Sequence, residues 1–435
     1  MTGRSLAGVV LAVLALGADV QGAWWHEDPE FRAIAARLDV VPAIDNHTHL
    51  LDRVQFEPAI DLFQPLLLRS TWPPYLDVLR ERFGVPAVVT DVAEAARLGS
   101  QWRERRVDEI GAARYWAEHL DASRVALAIA NQDGRAGVDG VRIRWVPHAT
   151  PLMYPVDPAS PAARNPGTAA EVPKMRRQLG TILRDAGTDA EPATLAAYRE
   201  ALARVLTAWK QQGALGIKFY DAYFRSILFE DVSEPEAAQL YARGRSTPLS
   251  VADYRRLQDH LARWMFLEAG RLGLTVHVHS SHGVPPWLEL RDADVRNLEP
   301  VLTDPRFGDV PFVLIHGGAP LHEEAAYLAL KPNVWIDLSA MPFLYPVPDL
   351  AAAYRRYLIF APGKLLYSTD AGNYPGVPVG PEVQHLAIAR AAREALYLGG
   401  GARAGRRAHA RPGGRDRRGC ARRQRAAAVR AEVEG

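Results

Sequence analysis

VPAIDNHTHL, residues 41–50, is the stretch from which the rest of the chain can be interpreted. An apolar run leads into a polar end that contains His47 and His49. Side chains two residues apart in a β-strand point to the same face. Both imidazoles are therefore expected to reach one point beyond the end of a strand, and neutral imidazole is the usual ligand of zinc-like metals. Alone, the H-x-H pattern also fits two partly exposed histidines at a strand end. The positions of the other histidines and of one aspartate are therefore needed to decide whether it marks a metal site.

Short apolar strands alternate with amphipathic helices along the chain. After the first strand, the predicted strands are residues 124–131, 141–148, 216–220, 274–280, 310–316, 334–338 and 364–370. The predicted helices include residues 29–38, 93–120, 195–211, 251–272, 321–330, 350–360 and 382–397. Strand–helix alternation predicts parallel pairing, and eight such strands predict a closed α/β barrel. Helical insertions are expected between strands 1 and 2 and between strands 4 and 5.

Polar residues stand at the ends of several predicted strands, which is where barrels of this kind hold their working residues. They are His47 and His49 on the first strand, Lys218 on the fourth, His279 on the fifth, His316 on the sixth and Asp370 on the eighth. Thirteen histidines placed by chance would also be spread over helices and loops. The pattern therefore predicts a metal site at the mouth of the barrel. His277 lies one pleat deeper than His279, and a core histidine is its better interpretation.

The motifs in this order resemble the amidohydrolase superfamily. They are IDNHTHL, LGIKFYDAY, LTVHVHSSHG, DPRFGDVPFVLIHGG, NVWIDLSA and LLYSTDAG, and they extend over residues 40–398. More narrowly, they resemble the amidohydrolase-related (amidohydrolase 2) branch that contains the N-terminal domain of FluG-type and nodulin/glutamine-synthetase-like proteins. The resemblance implies a distorted (β/α)8 TIM barrel over residues 24–398, with one or two divalent metal ions at its mouth. Zinc is the first expectation, and manganese and iron stay open.

The resemblance also implies roles for the strand-end residues. His47, His49, His279 and Asp370 are expected to bind the metal, with Asp370 also acting as general base and acid. His316 is expected to bind a second metal or to polarise the substrate carbonyl. A metal held by neutral imidazoles lowers the pKa of bound water to about 7. The expected function is hydrolysis of a C–N, amide-type bond in a small molecule. A metal-dependent decarboxylase or isomerase, and a non-catalytic binding barrel, are the alternatives.

Lys218 has two interpretations. An ammonium group has no lone pair and cannot bind a metal, but a carboxylated lysine could bridge two metals, as in some relatives. We favour an unmodified Lys218 that binds a substrate carboxylate beside a single metal. Further candidates for substrate contacts follow predicted strands: Arg144, His148, Tyr220, Tyr223, Arg225 and His282. Each of these also fits a solvated loop residue.

Charge is unevenly distributed along the chain. Residues 401–435 hold 11 arginines, no lysine and 3 acidic residues, a net charge of +8. Since the whole chain carries +2, the remaining 400 residues carry −6, which gives no case for nucleic-acid binding. Cys420 is the only cysteine, which excludes an intrachain disulfide and a thiolate metal cluster. A small-molecule substrate is the expected partner, and association between copies of the chain stays open.

The two ends of the chain differ from its body. Arg4, the apolar residues 6–16, and the small residues Gly22 and Ala23 are typical of a secretory signal in residues 1–23. The apolar run is too short for stable membrane insertion, so we expect a periplasmic or secreted protein. A buried N-terminal helix in a cytoplasmic protein is the alternative. Residues 399–435 are rich in Arg, Ala and Gly, which predicts a disordered tail or a frameshift product. A basic tail for anionic partners is the alternative there.

Overall fold

The structure is a computed structural model, and it describes residues 24–53, 73–156, 171–283, 288–373 and 380–407. The predicted secretory segment, residues 1–23, and residues 408–435 of the predicted tail lie outside the described residues. Among the described residues, no helix combines the length and apolar character that crossing a membrane requires.

Parallel strands form the centre of the fold. They are β1 (Ala43–Arg53), β2 (Val125–Asn131), β3 (Ile143–Val146), β4 (Gly216–Phe219), β5 (Thr275–His279), β6 (Phe312–Ile315), β7 (Val334–Asp337), β8 (Leu365–Leu366) and β9 (Gly372–Asn373). One sheet has the order β3-β2-β1-β9 and the other the order β4-β5-β6-β7-β8. Every strand pair in both sheets is parallel. The α/β class and the parallel pairing are therefore confirmed.

The strands do not form the continuous closed ladder that the sequence predicts. Only two isolated parallel bridges, Trp145 with Ala214 and His148 with Lys218, join β3 to β4 in the described chain. Pro147 lies between these bridges and has no N–H to donate, so the ladder is interrupted there. The second gap between the two sheets lies between β1 and the segment from β8 to Asp370. Across it, Asn46 N donates to Tyr367 O at 2.9 Å and Asp370 N donates to His47 O at 2.8 Å. Hydrogen bonds thus cross both gaps, although two sheets remain.

Helices connect the strands. They are α1 (Pro29–Leu38), α2 (Pro73–Phe83), α3 (Val92–Ile110), α4 (Ala112–Ala122), α5 (Val172–Asp185), α6 (Leu195–Gln211), α7 (Glu234–Gly244), α8 (Val251–Arg271), α9 (Leu290–Ala293), α10 (Glu299–Leu302), α11 (His322–Leu328), α12 (Met341–Leu344), α13 (Val347–Phe360) and α14 (Pro381–Arg407). Helices α2–α4 lie between β1 and β2, and α7 and α8 lie between β4 and β5, and the assignment of these helices as insertions stays a prediction.

Local sequence determines where several helices begin. The side chains of Asp28, Thr194 and Ser250 accept backbone hydrogen bonds at the first turns of α1, α6 and α8, as N-cap residues do. By contrast, α14 does not end where the sequence predicts. It continues through Gly399 to Arg407, so the first part of the predicted disordered tail is helical.

Two of the three apolar clusters in the described part of the chain pack helices against the rest of the fold. The larger cluster contains edge-to-face aromatic pairs. The ring centroid of Phe266 of α8 lies 5.1 Å from that of Phe219 and 5.5 Å from that of Phe312. The smaller joins Tyr75 and Leu79 of α2 to Leu386 of α14. Burying a side chain of this size contributes about 1.5–3 kcal/mol. Apolar strand side chains such as Phe219 of β4 and Phe312 of β6 pack in the larger cluster, whereas polar side chains occupy the carboxyl ends.

Candidate active site

His47 and His49 lie on the same side of β1, with ring centroids 5.1 Å apart. This is the arrangement that the alternation of a strand predicts. Regular alternation would also bring Asp45 to this side, but the pairing of β1 with β2 is irregular between Asp45 and Thr48. Asp45 instead contacts His385 of α14. The irregularity therefore separates Asp45, which contacts the helix layer, from His47 and His49, which face the mouth.

Asp370 brings the two histidines together. Its Oδ1 lies 2.9 Å from His47 Nε2 and 3.4 Å from His49 Nε2. Ligand atoms of these three residues all lie within 4.8 Å of one another. Burial by itself raises the pKa of Asp370, but the interaction with His47 and the hydrogen bond from His49 outweigh it, and the pKa is well below its usual value of 3.8. A carboxylate and two imidazoles thus converge at one point.

His279 and His316 form a second pair beside this cluster. His316 Nε2 lies 3.0 Å from His279 Nδ1, and His316 Nδ1 lies 3.0 Å from Ser339 Oγ. His316 Nδ1 is also 3.8 Å from Asp370 Oδ2. His279 is therefore adjacent to the predicted ligand cluster but is not one of the three residues whose ligand atoms converge. Its assignment as a ligand stays a prediction.

Lys218 lies beneath the cluster. Its side chain is buried, and Nζ is 3.5 Å from His47 Nδ1. Burial lowers the pKa of Lys218 to about 7, although Asp370 and Asp337 oppose the shift. Near pH 7 the neutral amine and the ammonium form are therefore both present, and the neutral form can accept the hydrogen of His47 Nδ1, which leaves the lone pair of Nε2 for a metal.

His277 fits the core interpretation. It is opposite Lys218 in the β4–β5 register, and its Nε2 lies 2.9 Å from Thr275 Oγ1. Burial lowers the pKa of His277 to about 3, followed by the effect of Lys218, so the ring is neutral. Its position below His279 agrees with a strand that alternates regularly.

Four of the predicted substrate contacts surround the mouth. The His148 ring lies 6.3 Å from the His49 ring and 5.1 Å from the Tyr220 ring. The Tyr223 ring is 4.6 Å from His279, and the His282 ring is 6.2 Å from His316. Burial lowers the pKa of His282 to about 4, so it is neutral at physiological pH. These four side chains stand where a small substrate could touch them.

The other two candidates for substrate contacts are Arg225 and Arg144. The Arg225 side chain is buried and forms an ion pair with Asp259 of α8, and it also donates to Leu228 O at 3.2 Å. This placement favours a structural role that ties the loop after β4 to α8. Arg144 lies within β3, where it pairs with Ile129 of β2, so it precedes the carboxyl end of β3. A position after a predicted strand could not show that Arg225 is buried against α8.

Several polar residues near the site were not predicted. Asn46 donates to Asp337 Oδ2 at 2.7 Å, and Ser339 N donates to Asp337 Oδ1 at 2.7 Å. Asp133 Oδ1 lies 2.8 Å from His148 Nδ1. Asp337 ends β7, and Ser339 and Asp133 follow strands, which is the signal that could have identified these three, whereas Asn46 lies within β1. Their partners could not be inferred, because those lie on other elements.

The donor set fits a divalent metal ion. Burial, followed by the charge of Lys218, lowers the pKa of His47 well below 6.5, and burial does the same for His279, so both rings are neutral. Among the described residues, the buried His279 Nε2 has no hydrogen-bond partner. A buried nitrogen without a partner is costly, and a metal ion would satisfy it. Two imidazoles, a carboxylate and this nitrogen are ordinary ligands for zinc.

The parallel strands and the His-His-Asp cluster at their carboxyl ends define a metal-dependent enzyme of the amidohydrolase type. The chain belongs to the amidohydrolase family, whose sequence profile matches residues 44–397. No curated protein sequence matches significantly.

Solved structures share the fold. A protein from Lactobacillus casei ATCC 334, assigned as a metal-dependent hydrolase, is 16% identical with a TM-score of 0.59, covering 92% of this chain and 96% of that one. The uronate isomerase of Thermotoga maritima is 14% identical with a TM-score of 0.51, covering 93% and 95%. The uronate isomerase of Bacillus halodurans C-125 is 13% identical with a TM-score of 0.51, covering 92% and 94%. At these identities the likeness concerns the fold.

Proposed function

We propose that the protein hydrolyses a C–N, amide-type bond in a small molecule, with a divalent metal at the mouth of the strands. The observation that carries this proposal is the contact of the Asp370 carboxylate with Nε2 of both His47 and His49. His47, His49 and Asp370 would hold the ion, and His279 is the proposed fourth ligand. When bound, such an ion supplies a Lewis acid and lowers the pKa of water.

The chain's own residues account for the proton transfers. Asp370 is ionised, so it can take a proton from water and return it to the leaving nitrogen. The neutral His316, whose Nδ1 contacts Ser339, would polarise the substrate carbonyl, on whose oxygen negative charge develops. Burial around the cluster keeps bulk water from competing for these contacts. Unmodified Lys218, beside a single metal, remains our proposal.

The second candidate function is isomerisation of a sugar acid. It is supported by the fold shared with two uronate isomerases over more than nine-tenths of this chain. Proton transfer by Asp370 would serve this reaction as well, since isomerisation also requires a base and an acid. The same ligands therefore do not separate the two reactions.

Metal analysis followed by a substrate screen tests the proposal. We expect about one equivalent of zinc, manganese or iron in the purified protein, bound through the His-His-Asp set. The screen should contain N-acyl amino acids, γ-glutamyl amides, lactones, small aromatic carboxylates and uronic acids. The γ-glutamyl amides are included to test the predicted resemblance to the FluG-type branch. Amide hydrolysis would support the proposal. Turnover of uronic acids alone would instead support the second candidate function, isomerisation of a sugar acid. A protein that binds no divalent metal contradicts both.

A further inference from the structure

Asp45 is a fully buried carboxylate that the proposed reaction does not use. Its Oδ1 accepts hydrogen bonds from Thr369 N at 3.0 Å and from His47 N at 3.3 Å. Its Oδ2 accepts from Thr369 Oγ1 at 2.6 Å and lies 2.9 Å from His385 Nε2. A buried charge of this kind is retained only when it is paired and hydrogen-bonded. Asp45 therefore links β1, the segment before Asp370, and α14.

A chain of buried side chains fixes the far side of this carboxylate. His385 Nδ1 lies 3.0 Å from His119 Nε2 and 3.2 Å from Ser123 Oγ, and all three residues are buried. Because Nδ1 has these partners, His385 can present the hydrogen on Nε2 to Asp45 in one orientation. The hydrogen-bond chain thus extends from the end of α4 through α14 to β1.

On the near side, Thr369 constrains the backbone of Asp370. Asp370 has φ 56°, in the left-handed region, which is costly for a residue with a Cβ. Thr369 donates to Asp45 through both its N–H and its hydroxyl, and the same hydroxyl accepts from Ala371 N at 3.2 Å. Such a conformation persists only where its surroundings hold it. The residues on both sides of Asp370 are held here by one hydroxyl bound to Asp45.

We propose that Asp45, oriented by His385, is a positioning residue that holds the Asp370 carboxylate against His47 and His49. Asp45 does not contact the reacting atoms. It acts through Thr369, and without it the Asp370 backbone would relax and carry the carboxylate away from the two imidazoles. Its consequence for metal binding rests on the proposed function, whereas the positioning itself does not.

Cobalt(II) titration of the full chain tests the proposal, since the visible spectrum of bound cobalt reports on ligand geometry. In Asp45→Asn the amide nitrogen cannot accept a hydrogen bond from Thr369 or His385. We expect the cobalt Kd to rise about 10- to 100-fold, as for other residues that orient metal ligands, together with a changed spectrum. Thr369→Val keeps the side-chain shape and removes only the hydroxyl, so a smaller shift in the same direction is expected.

Variants of His385 test whether the hydrogen bond itself matters. In His385→Gln an amide N–H can still donate to Asp45, and cobalt affinity should remain near the wild-type value. In His385→Leu this donor is lost, and the affinity should fall. Asp259→Asn is the matched control, because Asp259 is also a buried carboxylate with a charged partner, Arg225, and does not contact Asp370. It should lower thermal stability and leave the cobalt Kd and spectrum unchanged.

Crystal structures of Asp45→Asn or, if that variant does not fold, Thr369→Val give a readout that needs no metal. The proposal predicts that Asp370 leaves φ 56° and that its contact with His47 Nε2, 2.9 Å in the wild type, is lost. Wild-type cobalt binding in Asp45→Asn, or an equal loss in Asp259→Asn, overturns the positioning role and leaves the proposed function standing. If the wild-type protein binds no metal, the proposed function fails and the variant structure decides positioning alone: an unmoved Asp370 overturns it.

Discussion

His316 and Asp370 share a backbone feature with Ser281 and Ala340. All four residues have positive φ, at 73°, 56°, 61° and 58°, and each follows a strand of the five-stranded sheet. A left-handed conformation costs a residue with a Cβ roughly 1–2 kcal/mol. Strain of this kind concentrates at functional sites, where surrounding contacts stabilise it. At His316 it turns the chain directly after β6, and at Asp370 it turns the chain between β8 and β9, where the polar side chains converge.

Replacing Asp370 with Asn tests the chemistry at this scale. We expect the fold to be kept, because the side chain lies in the polar cluster rather than in either apolar core. Turnover of the substrate found in the screen should fall by about 100- to 10,000-fold, since an amide cannot accept the proton at neutral pH. Metal content should also fall. Circular dichroism, metal analysis and turnover measure the three effects.

Asp121→Asn is the control for this variant. Asp121 is an exposed carboxylate paired with Arg142, and its replacement should leave turnover and metal content unchanged. Turnover by Asp370→Asn within a few-fold of wild type would show that another group carries the proton.

At the level of elements, capped helices could be predicted more closely than the strand that carries Asp370. The predicted bounds of residues 29–38 and 195–211 coincide with α1 and α6, where the caps and the apolar spacing agree. Of the predicted strand at residues 364–370, only Leu365–Leu366 forms a strand, β8, and β9 (Gly372–Asn373) begins beyond the predicted end. The segment between β8 and β9 includes Asp370, whose left-handed backbone conformation could not be inferred from its residue type. That conformation comes from contacts with β1.

Two neighbouring glycines in α14 behave differently. A Cβ at Gly399 would lie 2.6 Å from Ala351 O of α13, whereas a Cβ at Gly400 meets nothing within 4 Å. Alanine raises helix propensity equally at both positions, by about 1 kcal/mol. Gly400→Ala should therefore be neutral or slightly stabilising. Gly399→Ala should lower the free energy of unfolding by about 1–3 kcal/mol, because backbone must move.

Urea unfolding of the two glycine variants measures the difference. Equal stability of the two would mean that α14 does not approach α13 closely at Gly399. That result would favour the prediction from the sequence that residues 399–435 form a disordered tail.

Truncation separates the helical part of the predicted tail from the remainder. Removing residues 408–435 should leave the melting temperature unchanged, since their composition cannot support a core. Removing residues 399–435 should lower it, because buried Gly399 and Gly401 approach α13 and α1. Thermal unfolding of both truncations and of the full chain tests this. A large loss on removal of residues 408–435 would contradict the tail prediction.

At the scale of the whole molecule, contacts within one motif could be predicted and contacts between distant elements could not. The convergence of His47 and His49 follows from their spacing on one strand. Asp370 could be added only because parallel strands present their carboxyl ends at one edge. The contact of Asp45 with His385 joins residues 340 positions apart on a strand and a helix. It depends on how α14 packs against β1, which no local pattern contains.

Asp304 provides a test of how a buried ion pair stabilises the molecule. It forms ion pairs with Arg306, two residues later, and with the largely buried Arg263 of α8. Asp304→Asn should lower the free energy of unfolding at pH 7 by about 1.5–3 kcal/mol, because it removes a charged hydrogen-bond partner from a buried guanidinium. Urea denaturation measures the loss.

Asp294 is a close match for Asp304 without the buried arginine. Each aspartate accepts the backbone N–H of an arginine two residues later, at 2.9 Å for Arg296 and 3.0 Å for Arg306, and also pairs with that arginine's side chain. Asn caps a helix about as well as Asp, so neither variant loses the cap. Asp294→Asn should cost only about 0–1 kcal/mol, as for an exposed pair. Equal losses of unfolding free energy in the two variants would show that the ion pair of Asp304 with the buried Arg263 does not cause the loss.

The pH dependence of stability gives the sign of the Asp304 contribution. The hydrogen bond from Arg306, with further help from Arg263 and against burial, lowers the pKa of Asp304 from 3.8 to about 2. A carboxyl with a lower pKa in the folded state binds fewer protons than in the unfolded state, so its stabilisation is complete above the unfolded pKa and is lost as pH falls. The stability difference between wild type and Asp304→Asn should therefore be constant from about pH 7 to 5 and shrink between about pH 4 and 2. Urea denaturation at a series of pH values measures it, and a difference that stays constant down to the lowest pH would show that the charge of Asp304 is not what stabilises the fold.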